Sequence, residues 1–211
     1  MLRTAIACVS TWFIGLATVA SLGCSNGLGR VPQSDYSASA GADAVKSYDD
    51  DGDGAIGGTE FDQVPSLRAA LAQVDTNGDK RVTAQEIDVR IQKWRDTQVA
   101  EMAVTCQVLL DGSPLANADV VFEPEAFLGP DVKPAMFKTS QHGAGSVSMA
   151  QEFLADPSYP GMACGFYKVR VLSEVDDIPS RYNQETTLGC EVAMDAHWTN
   201  QPTVKFELTS D

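Results

Sequence analysis

A chain of 211 residues with a formal net charge of −14 has room for one or two domains. That charge excludes a binder that tracks nucleic-acid phosphates, because such binding needs a basic surface. It suits solubility and divalent cations instead, and an apolar share of 44% is ordinary for a chain with a packed core.

Residues 1–23 read as an export signal, to be set aside before any reasoning about the fold. Arg3 supplies the positive start, and residues 5–20 are mostly apolar (Ile6, Val9, Trp12, Phe13, Ile14, Leu16, Val19). The run is short for a transmembrane helix. The sequence that follows, Ser21-Leu22-Gly23-Cys24, resembles a bacterial lipobox. The resemblance implies cleavage before Cys24, lipidation of that cysteine, and a chain anchored by lipid at the bacterial cell envelope. Residues 24–42 are rich in Ser, Gly and Ala, with few large apolar residues, and are expected to form a flexible tether.

The strongest signal lies in two acidic loops. A twelve-residue calcium loop needs oxygens at positions 1, 3 and 5, glycine at 6, a backbone carbonyl at 7 and a bidentate glutamate at 12. Residues 49–60 supply Asp49, Asp51, Asp53, Gly54, the Ala55 carbonyl and Glu60 in those places. Ile56 at position 8 is expected to bridge to a partner loop. Residues 75–86 supply Asp75, Asn77, Asp79, the Arg81 carbonyl and Glu86, with Val82 as the bridging partner. Lys80 stands where glycine is usual. Holding a non-glycine residue at positive φ costs about 1–2 kcal/mol, so the second loop is expected to bind more weakly. Leu67, Ala70, Leu71 and Val74 recur at helical spacing before that loop, and Pro65 suits a helix start. Thr83 and Glu86 form a capping box ahead of Ile87, Ile91 and Trp94. The pair resembles EF-hands. Dockerin modules also carry two Asp-rich loops, but usually close them with Asp, and Glu60 and Glu86 favour the EF-hand.

From Val104 the pattern turns to alternation: Val104, Cys106, Val108 and Leu110, then a turn at Asp111-Gly112. Further apolar or alternating runs cover 118–122, 135–139, 145–149, 166–172, 189–194 and 203–208. About seven short strands in this half read as an antiparallel sandwich. The run LDGSPLANADVVFEP at 110–124, with Tyr167-Lys168-Val169 further on, resembles carboxypeptidase-regulatory-like domains. That resemblance implies a transthyretin-like fold in a non-catalytic accessory or adhesive module. Thr139-Ser140-Gln141-His142-Gly143 departs from the acidic turn usual there.

The expected architecture is α+β in two domains. An N-terminal EF-hand helix–loop–helix pair over 43–99 is followed by an antiparallel seven-stranded transthyretin-like β-sandwich over 100–211. Cys106, Cys164 and Cys190 remain after the signal and Cys24, and in an oxidising compartment two of them can pair. Cys164 with Cys190 is the favoured disulfide, although sequence does not fix connectivity. His142 and His197 have no neighbours at metal-ligand spacing, and no nucleophile elbow or phosphate loop is present. Asp176 and Asp177 read as solvated turn residues. The expectation is a non-enzymatic, calcium-binding envelope lipoprotein. Its rival is a surface adhesion or assembly protein whose β-sandwich binds a protein or glycan partner while the loops only stabilise it.

Overall fold

The computed structural model describes residues 32–196 and 203–211. The signal segment, Cys24 and His197 lie outside the described residues. The described residues form one compact unit.

Three helices open that unit. Helix α1 (Ala40–Tyr48) leads into the first acidic loop and strand β1 (Ala55–Gly57). Helix α2 (Pro65–Val74) leads into the second loop and strand β2 (Arg81–Thr83), and helix α3 (Ala84–Thr97) follows. The sequence explains each start. Pro65 occupies the first turn of α2, where its missing N–H costs nothing. Thr83 caps α3, accepting from Glu86 N while the Glu86 side chain returns to the cap backbone. Ile87, Ile91 and Trp94 are buried along one face of α3.

Ten strands are defined among the described residues, the rest being β3 (Val104–Leu110), β4 (Ser113–Pro114), β5 (Asp119–Pro124), β6 (Ala135–Lys138), β7 (Ala144–Met149), β8 (Gly165–Leu172), β9 (Gly189–Val192) and β10 (Val204–Leu208). One sheet runs β10-β3-β7-β6-β5-β8-β9, with β4 paired to β3. Strand β10 lies parallel to β3, and the other pairings are antiparallel. The sheet curls into a half-barrel. Phe122 on β5 and Phe206 on β10 stand 6.3 Å apart, ring to ring, though three strands separate them in the sheet order. Trp94 closes the helical side of this core, 4.7 Å from the Phe166 ring.

The expected fold class is therefore corrected. Among the described residues the structure is mostly β, with three helices rather than a complete helix–loop–helix pair. Where the first loop ends only a 3-10 turn forms, Gly58–Asp62. Gly57-Gly58 weakens helix there, Gly58 sits at φ +52°, and the residue before Pro65 is pushed out of the helical region. Too few residues lie between for nucleation to succeed. Nor does an antiparallel seven-stranded sandwich form. Strand β7 pairs with β3 through 144–147 and with β6 through 148–149, so it joins what would have been two sheets into one.

Two smaller expectations also change. The flexible tether expected over 24–42 is fixed from Gln33 onward. The Gln33 amide donates to the carbonyls of Trp94 and Val99, and buried Tyr36 donates its hydroxyl to the Cys164 carbonyl at 2.9 Å. The Cys164–Cys190 disulfide is not formed. The register pairs Gly165 with Val192 and Tyr167 with Cys190, so Cys164 lies about three residues, or ~10 Å, along the ladder from Cys190. A disulfide needs a closer approach of its Cα atoms. The Cys164 thiol points instead at the Met102 sulfur, 3.7 Å away. No helix among the described residues is long and apolar enough to cross a membrane.

Candidate metal centre

The two acidic loops lie side by side because β1 and β2 pair antiparallel, Ile56 opposite Val82, with both side chains buried. This is the bridge expected from the sequence. It also sets Ala55 opposite Thr83 and Gly57 opposite Arg81.

In the first loop the carboxylates fold the backbone around themselves. Asp49 accepts from Gly52 N at 2.7 Å through one oxygen and from Gly54 N at 2.8 Å through the other. Asp51 accepts from Asp53 N, and Asp53 from Ala55 N, each at 3.1 Å. Glu60 reaches back across the loop to accept from Asp50 N at 2.8 Å and Gly57 N at 2.7 Å. Gly54 stands at φ +90°, which only glycine adopts without strain.

The second loop repeats this scheme position for position. Asp75 accepts from Gly78 N and Lys80 N, Asn77 from Asp79 N, and Asp79 from Arg81 N. Glu86 accepts from Thr76 N and Thr83 N, each at 3.0 Å, with both threonine hydroxyls adding bonds. Lys80 takes φ +64°, the left-handed region expected of a glycine. The strain anticipated there is present, and the loop closes regardless.

The donor set fits a hard cation. One carboxylate oxygen from each of Asp49, Asp51 and Asp53 lies within 4.8 Å of the others. Oxygens bound to one Ca²⁺ at 2.3–2.6 Å can be at most about 5 Å apart. Crowding is felt at Asp51, whose carboxyl is pushed up by desolvation and then by the charges of Glu60 and Asp49. Desolvation also acts on Glu86, but the bonds from Thr83 and Thr76 prevail and hold its carboxyl below the ordinary range. A cation entering the first loop would relieve the repulsion at Asp51.

Several side chains of this region carry roles beyond those read from the sequence. Arg81 was singled out for its carbonyl, yet its guanidinium forms an ion pair with Asp53 of the other loop. Tyr48, next to Asp49, donates at 2.9 Å to the buried carboxylate of Glu125, which also accepts from Ser66 at 2.6 Å. Lys168 lies 3.7 Å from the same carboxylate. Arg90 on α3 is buried against Glu191 and binds Asp195 through both terminal nitrogens. Its position on the buried face between Ile87 and Trp94 is the signal that could have revealed it, since a charge there demands a partner. Tyr48 and Ser66 carry no such signal.

No family model matches this chain. No curated protein matches it either. Among solved structures, a 9R-lipoxygenase from Cyanothece PCC8801 is similar with a TM-score of 0.26 and 16% identity, over 68% of this chain and 22% of that one. The chain thus spans about a fifth of that protein's length, and a likeness this slight carries no argument about fold or activity.

Proposed function

We propose that this chain is a non-enzymatic calcium-binding protein of the bacterial envelope, with one ion in each acidic loop. The observation that carries the reading is the repetition of one bonding scheme in two loops of different sequence. In each, position 1 accepts from 4 and 6, position 3 from 5, position 5 from 7, and position 12 from 2 and 9. Lone acidic turns have no reason to share it. Asp49, Asp51, Asp53, the Ala55 carbonyl and Glu60 hold the first ion. Asp75, Asn77, Asp79, the Arg81 carbonyl and Glu86 hold the second. Ca²⁺ takes six to eight oxygens, and extracellular sites commonly bind at about 10⁻⁴–10⁻³ M. Occupancy at such concentrations stabilises the folded state by mass action.

Calorimetric Ca²⁺ titration of the chelator-treated protein tests this. Two binding events are expected, the tighter lost in Glu60→Gln and the weaker in Glu86→Gln. Lys80→Gly should tighten the weaker event, by about fivefold if relief of ~1 kcal/mol of backbone strain appears in binding. Absence of any heat at millimolar calcium would sink the reading.

The envelope location rests on the apolar segment 5–20 and on Cys24. Radiolabelled palmitate fed to expressing bacteria should mark the wild-type chain and not Cys24→Ser. Equal labelling of both would remove the lipid anchor.

A further inference from the structure

Arg81 belongs to both loops. Its main chain is position 7 of the second loop, and its amide donates to Asp79 at 2.9 Å. Its side chain turns back over the first. Strand pairing sets it opposite Gly57, and a Cβ on Gly57 would meet Arg81 Cγ at 3.0 Å, so the stem lies directly on that glycine. Gly57 is position 9 of the first loop. That position commonly contributes to the ion through a side chain and a water, and here it offers no side chain. The guanidinium reaches past it to Asp53 Oδ2, while Asp53 Oδ1 is taken by the Ala55 amide. Arg81, Asp51, Asp53 and Glu60 line one cavity of about 360 Å³.

We propose that Arg81 is a tethered cation that competes with Ca²⁺ for Asp53 and so sets the affinity of the first loop. This rests on the calcium reading above. Asp49, Asp51, Asp53 and Glu60 give the first loop one carboxylate more than Asp75, Asp79 and Glu86 give the second. One guanidinium offsets that excess, bringing the two loops toward equal charge. Because the Arg81 carbonyl faces one ion and its side chain the other, a shift of Arg81 on filling either loop is felt at both. A unit charge held within several ångströms of a divalent ion, in a largely aqueous setting, is worth about three- to tenfold in affinity at low ionic strength.

The test is calcium titration of the full chain in a Glu86→Gln background, which leaves the first loop to be read alone. Arg81→Gln, Arg81→Met and Arg81→Lys are compared at low and high salt. Arg81→Met keeps an apolar stem over Gly57 without the charge, and Arg81→Lys keeps the charge. The expected result is binding about three- to tenfold tighter in Arg81→Gln and Arg81→Met, a gap that narrows with salt, and near-parental affinity in Arg81→Lys. Unchanged or weaker binding in both neutral variants, with the parent still binding, overturns the role of Arg81 and leaves the calcium reading standing. No binding in any variant at millimolar calcium removes both.

Discussion

Arg90→Met should lower the unfolding free energy by about 3–5 kcal/mol, the range for breaking one side of a buried ion pair. Arg90 and Glu191 are each only 2% exposed. The guanidinium donates to Glu191 Oε1 through Nε and grips Asp195 at 3.0 and 2.8 Å through its two ends. Trp94 adds an indole N–H to the same Glu191 oxygen at 3.2 Å. Methionine keeps an apolar stem and removes the charge together with the N–H donors that Glu191 and Asp195 accept from. Asp195 loses little, because it is 43% exposed and retains Lys93. Glu191 bears the cost. Burial pushes its carboxyl up, and the Arg90 guanidinium opposes that push. Without Arg90 the carboxyl takes up a proton more readily in the folded state than in the unfolded one. A group whose folded pKa is raised contributes stability at low pH that is lost as pH rises through that value. The deficit of Arg90→Met should therefore be smaller at pH 5 than at pH 8. Urea titrations of the two proteins at both pH values measure it. Adding Glu191→Gln should recover at least half of the loss at pH 8. An Arg90→Met deficit under 1 kcal/mol would show that the pair does not hold α3 to β9.

The acidic loops were legible in the sequence because everything that shapes them is local. Twelve residues contain both the ligands and the amides those ligands bind, and even the contact between loops needed only Ile56 and Val82 at matching positions. The helix expected after the first loop failed on equally local grounds, since Gly57-Gly58 and Pro65 bracket a segment too short to be helical. The sheet was different. Alternation located the strands around Val104, Val120 and Val169, but no residue announced that β7 would divide its pairing between β3 and β6. That division is a property of register, and it turned an expected sandwich into one curled sheet. The cysteines failed for the same reason. Their distance in space depends on the offset between β8 and β9, which the spacing of Cys164 and Cys190 along the chain does not reveal. Composition misled at 33–42, where abundant Ser, Gly and Ala concealed the two anchors, Gln33 and Tyr36.

Gly189→Ala should cost about 3 kcal/mol or more, at or beyond the upper end of the usual range for overpacking. Gly189 starts β9 opposite Lys168, and the first turn of α2 lies directly against it. A Cβ there would stand 2.2 Å from the carbonyl carbon and oxygen of Pro65 and 2.3 Å from Ser66 N. These are backbone atoms and no rotamer relieves the clash, so α2 must lift from the sheet. Ser66 would then be drawn from Glu125, to which it donates at 2.6 Å, and Tyr48 would be the main neutral donor left on that buried carboxylate. Helix α2 also leads directly into the second acidic loop, and Tyr48 directly precedes the first. On the calcium reading proposed above, a displaced α2 should therefore weaken ion binding as well as the fold. Gly161→Ala is the control. The nearest obstacles to its Cβ are Glu101 Cβ at 3.2 Å, which needs a shift of only a few tenths of an ångström, and Glu101 Oε2 at 3.3 Å, which can rotate away, so its cost should stay within about 1 kcal/mol. Unfolding and calcium titration on the two variants separate the cases. If Gly189→Ala loses stability yet keeps its calcium affinities, the loops are autonomous and the sheet serves only to carry them. If both fall together, the contact of α2 with β9 supports the proposed calcium site.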